Sequence, residues 1–349
     1  MKVYVATDQK GGVTKTTTTQ QNGMAAHLSG KRVIWPDMDW QGNLTSACGY
    51  ASEALEHTIY TYMIGKSTLQ ETLLPTYYDP VSGIFFDPKD TVFMQEVLGL
   101  NSLEDARRGP DLLPHNTALS KEAEKELESN GFWGGLLRNL LEELSDSYDE
   151  AHVDTNPAII HKLTKMCFYA ATDIIIPVVP ESWPTQGMIV LAQQLMEARK
   201  YNPQLNLAGI LFARVRYASH KKLMVEIRES LVPQINEMFE EARRSSVAMR
   251  RQLQGFELSC FDNAITEGAE FSTLTNMRAH LHVANRGLSS HSIEYWQHYI
   301  ELLQRTDGAG LDEAYDYYQG LVERYNAWLQ QEAQRKQARA EKKRGVVNG

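Results

Sequence analysis

The apolar run Val3-Tyr4-Val5-Ala6-Thr7 leads, almost from the first residue, into Lys10-Gly11-Gly12-Val13-Thr14-Lys15-Thr16-Thr17. A short strand, paired glycines, Lys-Thr and a helical stretch to about Leu28 follow in the order of a phosphate-binding loop. The literal G-x-x-x-x-G-K-[ST] pattern fails, because Gln9 and Thr14 stand where its two glycines belong. The chemistry survives: Gly11 and Gly12 let backbone N–H groups close on a polyphosphate without a Cβ clash. Lys15 is placed to reach the β and γ oxygens, and Thr16 carries the hydroxyl that such loops offer to Mg2+. The positive end of the following helix points at the same anion. A lone Lys-Gly-Gly would read as a glycine-rich strand-to-helix turn; the full ordered set favours phosphate binding. Thr14 is β-branched just before the loop lysine, which restricts the backbone there, and Lys10 is a second lysine ahead of the loop.

Composition excludes more than it assigns. With 349 residues, 42% of them hydrophobic, the chain buries one large core or two modest ones. Cys48, Cys167 and Cys260 lie too far apart in sequence for a disulfide framework or a metal cluster, which fits a reducing cytoplasm. No apolar run approaches the roughly 20 residues of a membrane span, and no signal-type segment precedes the first strand, so a soluble, cytoplasmic protein is expected. The strand at the N-terminus also argues against a preceding helix-turn-helix. A net charge of −9 argues against a wholly basic nucleic-acid coat, so any DNA surface is local. Arg243, Arg244, Arg250 and Arg251 form one basic cluster, and Arg335, Lys336, Arg339, Lys342, Lys343 and Arg344 form another. A solvated helix face and a frayed tail explain them equally well.

Apolar runs alternate with longer amphipathic stretches, the pattern of a mostly parallel, doubly wound sheet with helices on both faces. Strands are predicted over Val3–Thr7, Arg32–Asp37, Ala151–Asp154, Asp173–Val179 and Leu207–Val215, and helices over His115–Glu128, Trp133–Ser147 and Pro184–Arg199. Residues 76–110 carry Pro80, Gly83, Pro88, Gly99, Gly109 and Pro110 and read as an irregular surface insertion. From about Leu311 the chain turns helical and aromatic, then basic. The expected organisation is a main domain over 1–305 and a C-terminal helix with a basic tail over 306–349.

Two acidic clusters end strands of this sheet. Asp37-Met38-Asp39-Trp40-Gln41-Gly42-Asn43 closes the second, its carboxylates two positions apart and so on one side of a strand. Val153-Asp154-Thr155-Asn156-Pro157 closes the third. An acid at the carboxyl edge of a strand beside a phosphate loop can hold Mg2+ through water. Either cluster alone reads equally as a turn or a helix cap; behind a phosphate loop in the same sheet, the metal reading prevails.

These segments resemble the ParA/MinD family of deviant-Walker P-loop ATPases, most closely the Soj-like ParA partition proteins. The family's K-G-G-V-G-K-T-T, D-x-D-P-Q-G-N and I-D-T-P-P motifs correspond to Lys10–Thr17, Asp37–Asn43 and Val153–Pro157. Leu112-Leu113-Pro114-His115-Asn116 and Ile175-Ile176-Pro177-Val178-Val179-Pro180-Glu181 resemble two further family segments, so the likeness runs over about residues 1–270. It implies ATP and Mg2+ as cofactors, with Gly11, Gly12, Val13, Thr14, Lys15, Thr16, Thr17, Pro180 and Glu181 around the nucleotide. Thr16, Asp37 and Asp154 are implied to serve the metal. Lys10 is implied to cross to the partner subunit's nucleotide in an ATP-bound homodimer, and Asp39 to orient the attacking water, so Lys10, Lys15 and Asp39 are the expected catalytic set. Relatives bind DNA nonspecifically as ATP dimers and are stimulated by a centromere-binding, ParB-like partner.

The chain departs from the family at Thr14, at Pro36 before Asp37, at Trp40 after Asp39, and at Asn156. None of these removes a charged group, so nucleotide binding with slow or tuned hydrolysis is expected. His152 reads as a hydrogen-bonded strand histidine. A nucleotide-gated scaffold without turnover is the main alternative; a MinD-like membrane switch and a P-loop metabolic ligase rank lower, and no membrane partner is expected.

Overall fold

A computed structural model describes residues 1–8, 14–129, 133–181, 185–268, 289–306 and 309–347. Lys10, Gly11, Gly12 and Val13 of the phosphate loop lie outside the described residues. Strands in chain order are β1 (Lys2–Ala6), β2 (Val33–Met38), β3 (Tyr77–Tyr78), β4 (Phe85–Phe86), β5 (Arg107–Arg108), β6 (Asp111–Leu113), β7 (Glu150–Thr155), β8 (Asp173–Val178), β9 (Asn206–Val215) and β10 (Cys260–Thr266). Seven of them form one sheet in the order β10-β9-β8-β1-β7-β2-β6, with every neighbouring pair parallel.

The period of two along each strand sorts side chains into two cores. Val3, Val5, Ile34, Val153, Ile174, Ile176, Ile210 and Phe212 face one layer of helices. Tyr4, Val33, Trp35, Ile175 and Leu211 face the other, which contains α1 (Lys15–Leu28), the Ser290–Thr306 helix and the start of the Leu311–Val347 helix. The five strands expected from sequence are present. Sequence reading passed over β6, with three residues, β10, whose burial alternates irregularly, and the Ser290–Thr306 helix.

Residues 76–110, expected to be irregular, instead contain a small antiparallel sheet in the order β4-β3-β5. Phe85 and Phe86 are fully buried, and Phe85 meets Trp35 edge-on at 6.0 Å, so the segment is an extension of the second core. Two-residue strands carry no readable period, which is why only their turn residues were visible in sequence. The first turns of the C-terminal helix also join this core through Ala314 and Leu321, and Tyr317 stacks on Trp296 at 4.6 Å.

Pro36 is accommodated where β2 meets the edge: its register partner is Leu113, the last residue of β6. β1 lies between β7 and β8, where the strand order reverses direction, and the crevice outside the strands' carboxyl ends there is the expected ligand position.

Candidate functional site

Three strand ends and one helix start converge at that crevice. Ala6 of β1 and Asp37 of β2 are both register partners of Asp154 on β7. Thr16, in the first turn of α1, donates its hydroxyl to Asp154 Oδ2 at 2.6 Å, and Thr19 Oγ1 donates to the Val153 carbonyl at 3.4 Å. These bonds pin the start of α1 over the end of β7. Lys15 is buried, and its charge acts on both Asp39 and Asp154.

Thr14 gives α1 its N-cap with φ 68° and ψ 20°, in the left-handed region, and without a side-chain cap bond. A glycine takes that conformation freely, whereas a β-branched residue incurs strain of about 1–2 kcal/mol. The backbone therefore keeps the glycine geometry although the side chain is threonine. Among the described non-glycine residues only Thr14 and Arg214 (φ 52°) have positive φ, and both lie at carboxyl ends of the sheet.

Asp37 is fully buried and its oxygens are engaged: Oδ2 accepts from Thr45 N at 2.8 Å and Thr45 Oγ1 at 2.7 Å, and Oδ1 accepts from Asp39 N at 3.3 Å. Thr45 Oγ1 in turn accepts from His115 N at 2.9 Å, which ties in the Leu112–Asn116 segment. Asp37 thus organises the turn after β2, with its Oδ2 taken up by the two bonds from Thr45. Asp39 Oδ1 accepts from Gln41 N at 3.2 Å, and the Trp40 backbone also bonds the Asp39 carboxylate. Trp40 occupies its departure position with its carbonyl accepting from Thr117 Oγ1 at 2.8 Å and its ring edge-on to His161 at 4.7 Å.

The electrostatics are unbalanced. Burial pushes the Asp154 carboxyl well above the usual range, and the charges of Asp37 and Asp39 push it further. Burial likewise raises Asp37 and Asp39, against the opposing bonds from Thr45 and Gln41. Among the described residues, three buried carboxyls face one lysine, an arrangement short of positive charge. The donors are hard oxygens, a buried carboxylate beside a hydroxyl, and these suit Mg2+. Among the described residues no group of three or more His, Cys, Asp or Glu forms a metal cage.

Pro180 is buried and Glu181 exposed at the end of β8. Beyond them, Arg214 Nη2 donates to Glu267 Oε1 at 3.0 Å and Arg216 also pairs with Glu267, whose carboxyl is held down at about 2 first by Arg216. The left-handed Arg214 was not visible in sequence because no glycine or Asn marks it.

The basic candidates separate. Arg243 pairs with Glu240 at 3.3 Å and Arg244 with Glu237 at 3.4 Å, so both are neutralised on their own helix. Arg250 and Arg251 are exposed on the next helix, Val247–Gln252, with no ion pair resolved among the described residues. Arg335 pairs with Glu332 at 3.3 Å, and at Lys336 only the helical backbone is described. Among the described side chains of this set, none is brought to the crevice by a resolved bond. Among the described residues no helix is long and apolar enough to cross a membrane.

A family model described as an AAA domain matches residues 1–207. A chromosome-partitioning ATPase, Soj of Treponema pallidum, is 29% identical over 227 residues, 65% of this chain and 76% of that protein. Among solved structures, the Cyanothece McdA–ATP complex aligns with TM-score 0.57 and 18% identity over 87% of this chain and 96% of that one. Cobyrinic acid a,c-diamide synthase of Mycobacterium smegmatis, with bound ATP analogue and magnesium, aligns with TM-score 0.55 and 23% identity over 75% and 99%. At these identities the structures speak for the fold alone.

Proposed function

Since the chain belongs to the ParA/MinD family of P-loop ATPases, close to Soj-like ParA proteins, we propose that it is an ATP-dependent dimerising switch that binds DNA nonspecifically and acts in DNA partition. The observation that carries the reading is the 2.6 Å bond from Thr16 to Asp154, beside buried Lys15 and two further carboxyls short of cationic partners. In this reading Lys15 binds the phosphates and Thr16 and Asp154 hold Mg2+, which when bound neutralises phosphate charge. Asp39, with the less engaged carboxylate of its turn, orients the attacking water, and Asp37 holds that turn in place through Thr45. Thr17 and the loop backbone cradle the phosphates, and Pro180 and Glu181 border the rest of the nucleotide.

Lys10 reaches the partner subunit's nucleotide, so that ATP is buried between two copies. Phosphoryl transfer needs positioning and charge neutralisation more than covalent chemistry, and two lysines with one carboxylate supply both. DNA contact falls to Arg250 and Arg251 and to the tail from Arg335, and a ParB-like partner stimulates turnover on cytoplasmic, nucleoid-associated protein.

The test is ATP turnover of the wild type beside Lys10→Ala and Asp39→Ala, with and without nonspecific DNA. Loss of DNA-stimulated turnover in both variants is expected; wild-type rates in both sink the assignment. ATP binding without phosphate release under any condition would identify a nucleotide-gated scaffold. For the tail, four phosphate contacts give a slope of log affinity on log salt of about −3.6, and removing residues 331–349 should flatten it.

A further inference from the structure

The turn after β2 is closed by a bond from Gly42 N to the Asp39 carbonyl at 3.1 Å, which places Trp40 and Gln41 at its two central positions. A proline at the first of these would fix the backbone by itself, whereas Trp40 does not. The peptide unit between Trp40 and Gln41 is instead held at both ends. Its carbonyl accepts from Thr117 Oγ1 at 2.8 Å, and its N–H donates to Asp39 Oδ1 at 3.2 Å. The unit is planar, so a bond that fixes the carbonyl also fixes the direction of the N–H. Each bond polarises the peptide in favour of the other.

The Thr117 hydroxyl is not spent on capping its own helix. Thr117 opens the Thr117–Ser129 helix, and the N–H groups of Ala118 and Leu119 donate to Asn116 Oδ1 at 2.9 and 3.2 Å. Asn116 is buried, and its Nδ2 donates to the Leu55 carbonyl at 2.9 Å, so Thr117 is presented from an anchored base. We propose that Thr117 is a positioning residue for Asp39, its hydroxyl acting through the Trp40–Gln41 peptide to keep the Gln41 N–H on the Asp39 carboxylate and that carboxylate in one orientation at the crevice. The inference rests on the assignment of Asp39 to the attacking water above. It adds to that assignment a residue from the connection after β6, which the phosphate site had left without a role.

Two substitutions of Thr117 test it. Thr117→Val keeps the shape and removes the donor, and Thr117→Ser keeps the donor; Thr117→Ala replaces the valine variant if that one does not melt cooperatively. Three quantities are measured: amide hydrogen exchange at Gln41 in the nucleotide-free protein, affinity for a fluorescent ATP analogue with Mg2+, and kcat for ATP with nonspecific DNA. In Thr117→Val, Gln41 exchange is expected to be about tenfold faster and kcat about tenfold lower, with analogue affinity within about twofold of wild type. Thr117→Ser is expected to stay near wild type in all three. Unchanged Gln41 exchange in the valine variant, a loss of affinity that matches the loss of kcat, or no rescue by serine overturns the proposal. A wild type that melts cooperatively but binds no analogue, or binds it without ATP turnover, overturns the reading of Asp39 instead, and Gln41 exchange then still decides whether Thr117 holds the turn.

Discussion

One strand, β7, carries two buried carboxylates of opposite character. Glu150, at its start, is surrounded by partners: His152 Nε2 at 2.9 Å, the Tyr299 hydroxyl donating at 3.2 Å, and the Lys31 ammonium. Burial by itself pushes this carboxyl up, but His152 and then Lys31 outweigh it and hold it below its usual range. Asp154, four residues on and about 13 Å away, is equally buried, yet it faces two more carboxyls and is pushed far up. The same burial therefore yields a structural group at one end of the sheet and an electrostatically frustrated one at the other. A buried charge with its partners present is architecture; a buried charge short of partners among the described residues is where the proposed cation and phosphates would sit.

That contrast can be broken at either end. Glu150→Ala removes the acceptor shared by His152, Tyr299 and Lys31, leaving Lys31 only its bond to the Ala309 carbonyl, and should lower stability by about 3–5 kcal/mol, measured by denaturant unfolding, with nucleotide affinity of the folded fraction unchanged. Lys15→Ala should do the reverse: at least about a 100-fold loss of ATP-analogue affinity by titration, with little change in unfolding. If both variants lose both properties, the two ends are not separable.

Asp154→Asn sharpens the comparison. A carboxyl whose value is higher in the fold than in the unfolded chain binds protons more tightly when folded. The apo wild type should therefore lose stability as pH rises from about 4 through the raised value, and the substitution should remove that slope. Near neutral pH the variant is expected to be more stable than apo wild type by about 1–2 kcal/mol, while no longer gaining stability from Mg2+ and ATP. A variant less stable than wild type at pH 7 would show that Asp154 is satisfied after all. The smallest effect belongs to Thr14→Gly, where relief of left-handed strain outweighs the added freedom of glycine in the unfolded chain. A gain of about 0.5–1 kcal/mol is expected in thermal unfolding, and a loss would mean that the threonine side chain contributes more than its backbone costs.

Much of the site was legible in advance because it is local. Lys15-Thr16 follows a strand by a few residues, and Asp37, Asp39 and Asp154 sit at strand ends that hydrophobic period alone locates. The role division between Asp37 and Asp39 was not legible: both are acids in one turn, and only the bonds from Thr45 show that the first is occupied. Arg243 and Arg250 likewise read alike in sequence, and only the pairing with Glu240 separates them.

The sequence by itself determined the parallel α/β layers and pointed to phosphate-loop chemistry, because alternation along strands, turn glycines and the order of charged residues are properties of neighbours in the chain. The tertiary structure alone decided that Thr14 holds a glycine's conformation and that the 76–110 segment extends the core. Those depend on contacts between residues up to hundreds of positions apart, where packing and burial, rather than local preference, set the free energy.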